Sequence, residues 1–192
     1  MTSPNDDAKA LLRFEARARR IAFVERLTLA ERQDFEQSLV AVLAPVMEKA
    51  RVVAGYHAVG SEFDVQRALQ WAGNHQVTVA LPAFTAADAA MIFRGGTVAE
   101  AGPHGIPQPP HQASQVDPDL ILVPLLAVDG TGTRLGQGGG HYDRVLGGLR
   151  ANGATLIGVG WPMQRVDTAL PRDRWDVALD GFASPAGLEM FA

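Results

Sequence analysis

The chain has 192 residues, of which 47% are hydrophobic and 20% charged, with a formal net charge of -4 and no cysteine. This composition excludes disorder as the default state, and the acidic balance leaves no general field for a nucleic-acid backbone, although a small anion can still be met locally. Without cysteine there is no disulfide, thiolate metal site or cysteine nucleophile.

The length suits one domain, read as 1–192, with residues 6–50 as an N-terminal helical portion. The opening "MTSPNDDAKALLRFEARARR" has acidic residues where a signal peptide carries basic ones, so no export signal is read and the cytoplasm is expected. The longest apolar runs, 39–47 and 120–128, fall far below the ~20 residues of a membrane span, and each contains a proline. No membrane or nucleic-acid partner is expected, and a monomer is favoured.

In chain order, Leu11, Leu12, Ile21, Ala22 and Val24 recur at roughly helical spacing, so residues 6–27 are read as a surface helix. Lys9 and Arg13 share one of its faces at i,i+4. Two cations placed so repel unless an anion sits nearby, and both a solvated basic face and an anion site stay open. A second helix is expected over 30–49 behind a Thr28 cap, with Pro45 as a kink or an early end. Short apolar runs then alternate with helical stretches. Strands are read at 51–57, 76–81, 90–94, 120–123 and 155–159, and helices at 65–73 and 140–150. This alternation, with strands apolar on both faces, defines an α/β fold with one open, mostly parallel sheet flanked by helices. Residues 102–118 are too rich in proline for a helix or a central strand.

The stretch "TRLGQGGGHYDRVL" at 133–146 lies between a strand and a helix, where open α/β sheets place ligands. Gly136, Gly138, Gly139 and Gly140 lack Cβ atoms, so several N–H groups can close on phosphate oxygens at a helix start. It is not a G-x-x-x-x-G-K-[ST] loop, and position 141 is histidine, which breaks G-x-G-x-x-G. A flexible turn and a ligand loop both fit the glycines alone. Arg134 can neutralise phosphate, and Asp143, one turn into the helix, can hold Mg²⁺ against it.

"VPLLAVDGTGTRLGQGGGHYDRVL" strongly resembles the signature of the 5-formyltetrahydrofolate cyclo-ligase family. The resemblance extends through "KALLR" at 9–13, "SEFD" at 61–64, "LP" at 81–82, "MIFR" at 91–94, "GIPQP" at 105–109 and "LPRDRWDVALD" at 170–180. It implies a fold similar to the ribose-phosphate isomerase and CoA-transferase type. It also implies conversion of 5-formyltetrahydrofolate, with or without a polyglutamate tail, to 5,10-methenyltetrahydrofolate with ATP as co-substrate and Mg²⁺ as cofactor. Carried over position by position, Lys9, Arg13 and the run Arg134, Leu135, Gly136, Gln137, Gly138, Gly139, Gly140, His141 and Tyr142 would contact ATP. Glu62, with Gln137, Gly138, Gly139, Gly140 and His141, would contact folate. Arg134, Tyr142 and Asp143 would form the catalytic set, and Asp143 and Asp176 would bind the metal. His141 and His104 stand where relatives often carry an aromatic residue.

By residue type alone Glu62 also fits a solvated loop. Trp71, Phe84, Trp161 and Trp175 are read as packing, with Trp161 close enough in sequence to edge the site. His57, His75 and His111 show no zinc spacing. Asp129 is read as shaping the loop before the glycines, and Asp180 as serving a turn. Two other functions stay open: a folate- or nucleotide-binding relative without turnover, and an isomerase or acyl-CoA transferase on a similar sheet. Asp143, Asp176 and the basic pair speak against the last.

Overall fold

The computed structural model describes residues 4–86, 89–96, 100–103 and 105–191, with side chains from Asp7 onward. His104 therefore lies outside the described residues.

Helix α1, Pro4–Val24, leads into α2, Leu29–Met47. Thr28 caps α2 through a reciprocal box: its Oγ1 accepts from the Glu31 amide while the Glu31 carboxylate accepts from the Thr28 amide. Two helix-end donors are thus satisfied within four residues of sequence. Pro45 neither ends nor caps this helix, which runs on to Met47.

The chain then lays down β1 (Val52–Ala54), α3 (Gln66–Asn74), β2 (Thr78–Ala83), β3 (Ile92–Gly95), and the two-residue strands β4 (Glu100–Ala101) and β5 (Pro107–Gln108). It continues with β6 (Leu120–Pro124), the short strands β7 (Ala127–Val128) and β8 (Arg134–Leu135), α4 (Asp143–Ala151), β9 (Thr155–Val159), β10 (Gly181–Ser184) and β11 (Gly187–Met190). The central sheet has seven strands in the order β11-β10-β9-β6-β1-β2-β3. Its inner strands from β10 to β2 run parallel, and the two edge strands are antiparallel to their neighbours. The architecture is thus an α/β open, mostly parallel sheet.

Both faces of the sheet are covered, and β6 shows why its sequence is continuously apolar. Leu120 and Leu122 join the cluster of Leu39, Leu43 and Met47 from α2 and Leu69 and Ala72 from α3. Ile121 and Val123, pointing the other way, join Leu146 of α4, Leu156 and Phe182. Alternate residues of one strand therefore serve two cores.

The chain order places the reversal of winding between β1 and β6: β2 and β3 build outward on one side of β1, and β6, β9 and β10 on the other. Such a switch point leaves a crevice at the carboxyl ends of the two strands. The hairpin β10–β11 escapes sequence reading because "GFASPAGLEM" mixes glycine, alanine and proline and has no β-branched residue. In the proline-rich segment, β5 pairs only with β4, outside the central sheet.

Candidate active site

A cleft of about 1080 Å³ opens at this switch point. Its floor comes from residues at or just beyond the carboxyl ends of parallel strands: Tyr56 and His57 after β1, Pro82 and Phe84 at the end of β2, and Pro124 closing β6. One wall is α1, which lines it with Lys9, Arg13, Arg17 and Arg20. Their spacing of four, four and three residues puts them on one helix face. A second wall, in contact with α1, is the glycine loop, from Arg134 to Tyr142.

The loop is held by the hairpin that precedes it. Asp129 Oδ1 accepts from the amides of Thr131 (2.9 Å) and Thr133 (3.1 Å), and its Oδ2 from the Leu170 amide at 2.8 Å. Burial raises the affinity of Asp129 for a proton, but these hydrogen bonds outweigh it and hold the carboxyl below its ordinary range. Asp129 therefore shapes the loop, as its sequence context suggests. Gly138 and Gly140 stand at φ of +100° and +65°, backbone that residues with a Cβ adopt only at a cost. Arg13 Nε donates to the Gly136 carbonyl at 3.1 Å, tying α1 to the loop.

Arg134 is 8% exposed and forms an ion pair with Asp143 through Nη2, while its Nη1 is buried with no hydrogen-bond partner among the described residues. Its guanidinium lies 5.9 Å from the centre of the Tyr142 ring. The Tyr142 hydroxyl is likewise buried without a partner among the described residues, and burial pushes the phenol well up, so it remains a donor. Unpaired buried donors are costly, and their concentration at one wall of a cleft marks where a ligand acceptor would be received. The sequence places Asp143 one turn into the helix and starts that helix at residue 140. In the structure Asp143 is the first residue of α4, and Tyr142 precedes it as the cap.

The Glu62 side chain, which also lines the cleft, is 9% exposed. Its Oε2 accepts from the Val59 amide at 2.9 Å and its Oε1 from Gln137 Nε2 at 3.0 Å. Gln137 in turn accepts from Arg17 Nη2 at 2.9 Å. The loop tip thus bridges α1 and Glu62. His141 packs edge-on against Phe84, with ring centres 5.1 Å apart.

Lys9 and Arg13 do share a face, but Lys9 Nζ is turned to carboxylates, Asp173 Oδ2 at 2.7 Å and Asp176 Oδ2 at 2.5 Å. Burial works against the Lys9 charge, yet the hydrogen bonds to Asp173 and Asp176 prevail and raise its pKa. Asp180 lies apart from them, taking Arg150 and the Leu156 amide.

Trp175 is a correction. Read as a packing residue, it is 60% exposed on the cleft rim, under the Arg174 guanidinium at 5.6 Å. Trp161 does pack, among Phe23, Phe35 and Phe63. Sequence reasoning also missed Arg20 and His57 as cleft residues. His57 Nε2 is buried without a partner among the described residues, and burial lowers its pKa. A helical spacing test extended from Lys9 and Arg13 finds Arg20; nothing local in the sequence finds His57.

Cations from one helix beside a glycine loop, with one guanidinium nitrogen of Arg134 left without a partner among the described residues, make this switch-point cleft of an α/β protein one suited to an anionic ligand. The chain belongs to the 5-formyltetrahydrofolate cyclo-ligase family, whose model matches residues 5–185. A 5-formyltetrahydrofolate cyclo-ligase of Mycolicibacterium smegmatis is 34% identical over 167 residues, covering 81% of this chain and 84% of that protein. Another, of Haemophilus influenzae, is 29% identical over 163 residues, covering 80% and 87%. The 5,10-methenyltetrahydrofolate synthetase structure of Aquifex aeolicus superposes with a TM-score of 0.78 at 25% identity, covering 95% of this chain and 92% of that one. That of Mycoplasma pneumoniae gives 0.69 at 24% identity, covering 92% and 98%, and bears on the fold alone. Among the described residues no helix is long and apolar enough to cross a membrane.

Proposed function

We propose that this enzyme uses ATP and Mg²⁺ to convert 5-formyltetrahydrofolate into 5,10-methenyltetrahydrofolate, releasing ADP and phosphate. The observation that carries the reading is the buried Nη1 of Arg134 at the glycine loop, without a partner among the described residues, a donor suited to a phosphate that the cleft would receive.

A formamide is a poor electrophile because its nitrogen donates into the carbonyl, so its oxygen must become a leaving group before the ring can close. In the proposed sequence the formyl oxygen attacks the γ-phosphorus of ATP and the bond to ADP breaks. Folate N10 then adds to the former formyl carbon, the carbon–oxygen bond breaks with loss of phosphate, and the N10 proton departs. Positioning and charge neutralisation suffice for such a transfer, so no covalent nucleophile is needed. Arg134 and Arg13 neutralise the phosphates, the loop amides cradle them, and the Tyr142 hydroxyl, kept protonated by burial, donates to an oxygen as charge develops. Glu62 accepts from N–H groups of the pterin ring.

Asp143 and Asp176 would hold Mg²⁺. The donor chemistry fits, because this ion takes one or two carboxylates, water and phosphate oxygens rather than a cage of side chains. Among the described residues no cluster of three or more metal-ligating side chains exists, so water and phosphate oxygens would complete the set. When bound, the ion shields the phosphate charge and helps orient ATP.

The test is the ultraviolet absorbance of the methenyl product when purified protein meets 5-formyltetrahydrofolate. A rise that needs both ATP and Mg²⁺ is expected. Binding of both substrates with no rise would instead favour a non-catalytic relative.

A further inference from the structure

Arg20 is the cation of the α1 row farthest along the helix from Lys9, and the proposed reaction leaves it without a role. Its side chain is 3% exposed. Nε donates to Ser61 Oγ at 3.0 Å and Nη1 to the Leu125 carbonyl at 3.3 Å. The same Nη1 stands 3.9 Å from Glu62 Oε1, forming an ion pair. A charge this deep is expensive unless it is answered by hydrogen bonds and an opposite charge. Burial pulls the Arg20 guanidinium down, and the Glu62 carboxylate is foremost among the groups that pull it back.

The segment carrying Glu62 is fastened from two directions. Ser61 takes Arg20 on its hydroxyl, and its carbonyl accepts from Trp161 Nε1 at 3.0 Å. Trp161 is itself fixed among aromatic rings, with the Phe63 ring centre 4.4 Å away. The loop after β1 has little structure of its own here. Within the loop Glu62 Oε2 takes the Val59 amide, and the ties from Arg20 and Trp161 to Ser61 fix the backbone from which that carboxylate projects.

We infer that Arg20 is a positioning residue for the folate half of the site. It anchors Ser61, opposes the charge of Glu62 from beneath, and so holds that carboxylate at the cleft in the orientation that receives the pterin. Arg20 spends Nε and Nη1 on the protein and acts through Glu62. The inference rests on the reading of Glu62 as the folate contact. It separates the α1 row into two roles, with Arg13 serving the phosphate loop and Arg20 serving the other substrate.

The test measures dissociation constants for 5-formyltetrahydrofolate and, separately, for ATP by calorimetry, with thermal midpoints, for Arg20→Lys, Ser61→Ala, Glu62→Gln and the Arg20→Lys/Glu62→Gln double variant. Lysine keeps the charge but cannot make both the Ser61 and Leu125 contacts. Arg20→Lys and Glu62→Gln are each expected to weaken folate binding about ten-fold, with ATP affinity within about two-fold of wild type. Ser61→Ala should move folate affinity the same way by less, and it carries the test if Arg20→Lys does not fold. The double variant should be no worse than Glu62→Gln by more than about two-fold, because the two residues act as one unit. If Glu62→Gln weakens folate binding while neither Arg20→Lys nor Ser61→Ala does, Arg20 is not a positioning residue. Loss of both affinities in step with a lower thermal midpoint would make Arg20 scaffold only. If Glu62→Gln leaves folate affinity unchanged, the anchor reading falls and this inference falls with it.

Discussion

Lys9 Nζ and Asp176 Oδ2 stand 2.5 Å apart although 167 residues separate them in sequence. Asp173 shares the same ammonium, so one cation from the first helix fastens two carboxylates of the segment that precedes the last hairpin. Because Lys9 is 5% exposed, removing it takes one shared, buried counter-charge away from both carboxylates. Lys9→Met is expected to cost about 1.5–3 kcal/mol of stability at neutral pH, measured by urea unfolding. The Lys9 pKa is raised above 10.5, so its contribution is complete below that value and fades as pH climbs through the folded pKa. The gap between wild type and variant should therefore narrow in strong alkali. An equally stable variant at neutral pH would show that the bridge contributes nothing.

Asp129 gives the opposite pH dependence. Its carboxyl is held below its ordinary value of 3.8 by the Leu170, Thr131 and Thr133 bonds, against the effect of burial. Its stabilisation is therefore present above that value and disappears as pH falls through the lower folded pKa. Asp129→Asn keeps one acceptor but sets an amide group against the Leu170 N–H. The expected cost is about 1–3 kcal/mol at neutral pH, shrinking as both proteins are taken into strong acid. A deficit that stays constant over that range would mean the charge is irrelevant.

Arg134→Lys keeps a positive charge at the loop but loses the planar fork that reaches Asp143 and still offers Nη1. A fall in kcat of about 100-fold is expected, of the size seen when one fixed donor to a developing charge is removed. Initial rates of methenyl formation at saturating substrates check it; a change below about three-fold would remove Arg134 from the catalytic set.

Gln137 reaches from the glycine loop to Glu62 at 3.0 Å. Its amide therefore takes one of the carboxylate's lone-pair sites, for which a pterin N–H would compete. Gln137→Ala is expected to tighten 5-formyltetrahydrofolate binding by about two- to ten-fold, the worth of one competing hydrogen bond. Weaker binding would mean instead that Gln137 stays and contacts the substrate. Direct titration without nucleotide separates the two.

Much of this architecture is visible in local sequence pattern. Thr28 and Glu31 mark the start of α2 because a capping box is a four-residue event, and "LILV" marks β6 because a strand with two buried faces must be apolar throughout. The glycine loop stands out because its position between strand and helix is itself a local fact. What escaped depends on distant partners. Helical spacing puts Lys9 beside Arg13, but it carries no trace of Asp173 and Asp176, which lie at the other end of the chain. Trp175 has the composition of a core residue, and only its place between Asp173 and Asp176 on the rim leaves it exposed. Arg20 resembles any basic residue on a helix surface until Ser61, Glu62 and Leu125 close over it.

The central claim is that the formyl oxygen leaves as part of phosphate. It is tested most directly by preparing 5-formyltetrahydrofolate with ¹⁸O in the formyl group, letting the enzyme turn it over with ATP and Mg²⁺, and recovering the inorganic phosphate for mass spectrometry. The account predicts one labelled oxygen in the phosphate for each methenyltetrahydrofolate formed. Label recovered in water, with unlabelled phosphate, would contradict transfer to the formyl oxygen and would require a different role for Arg134 and its glycine loop.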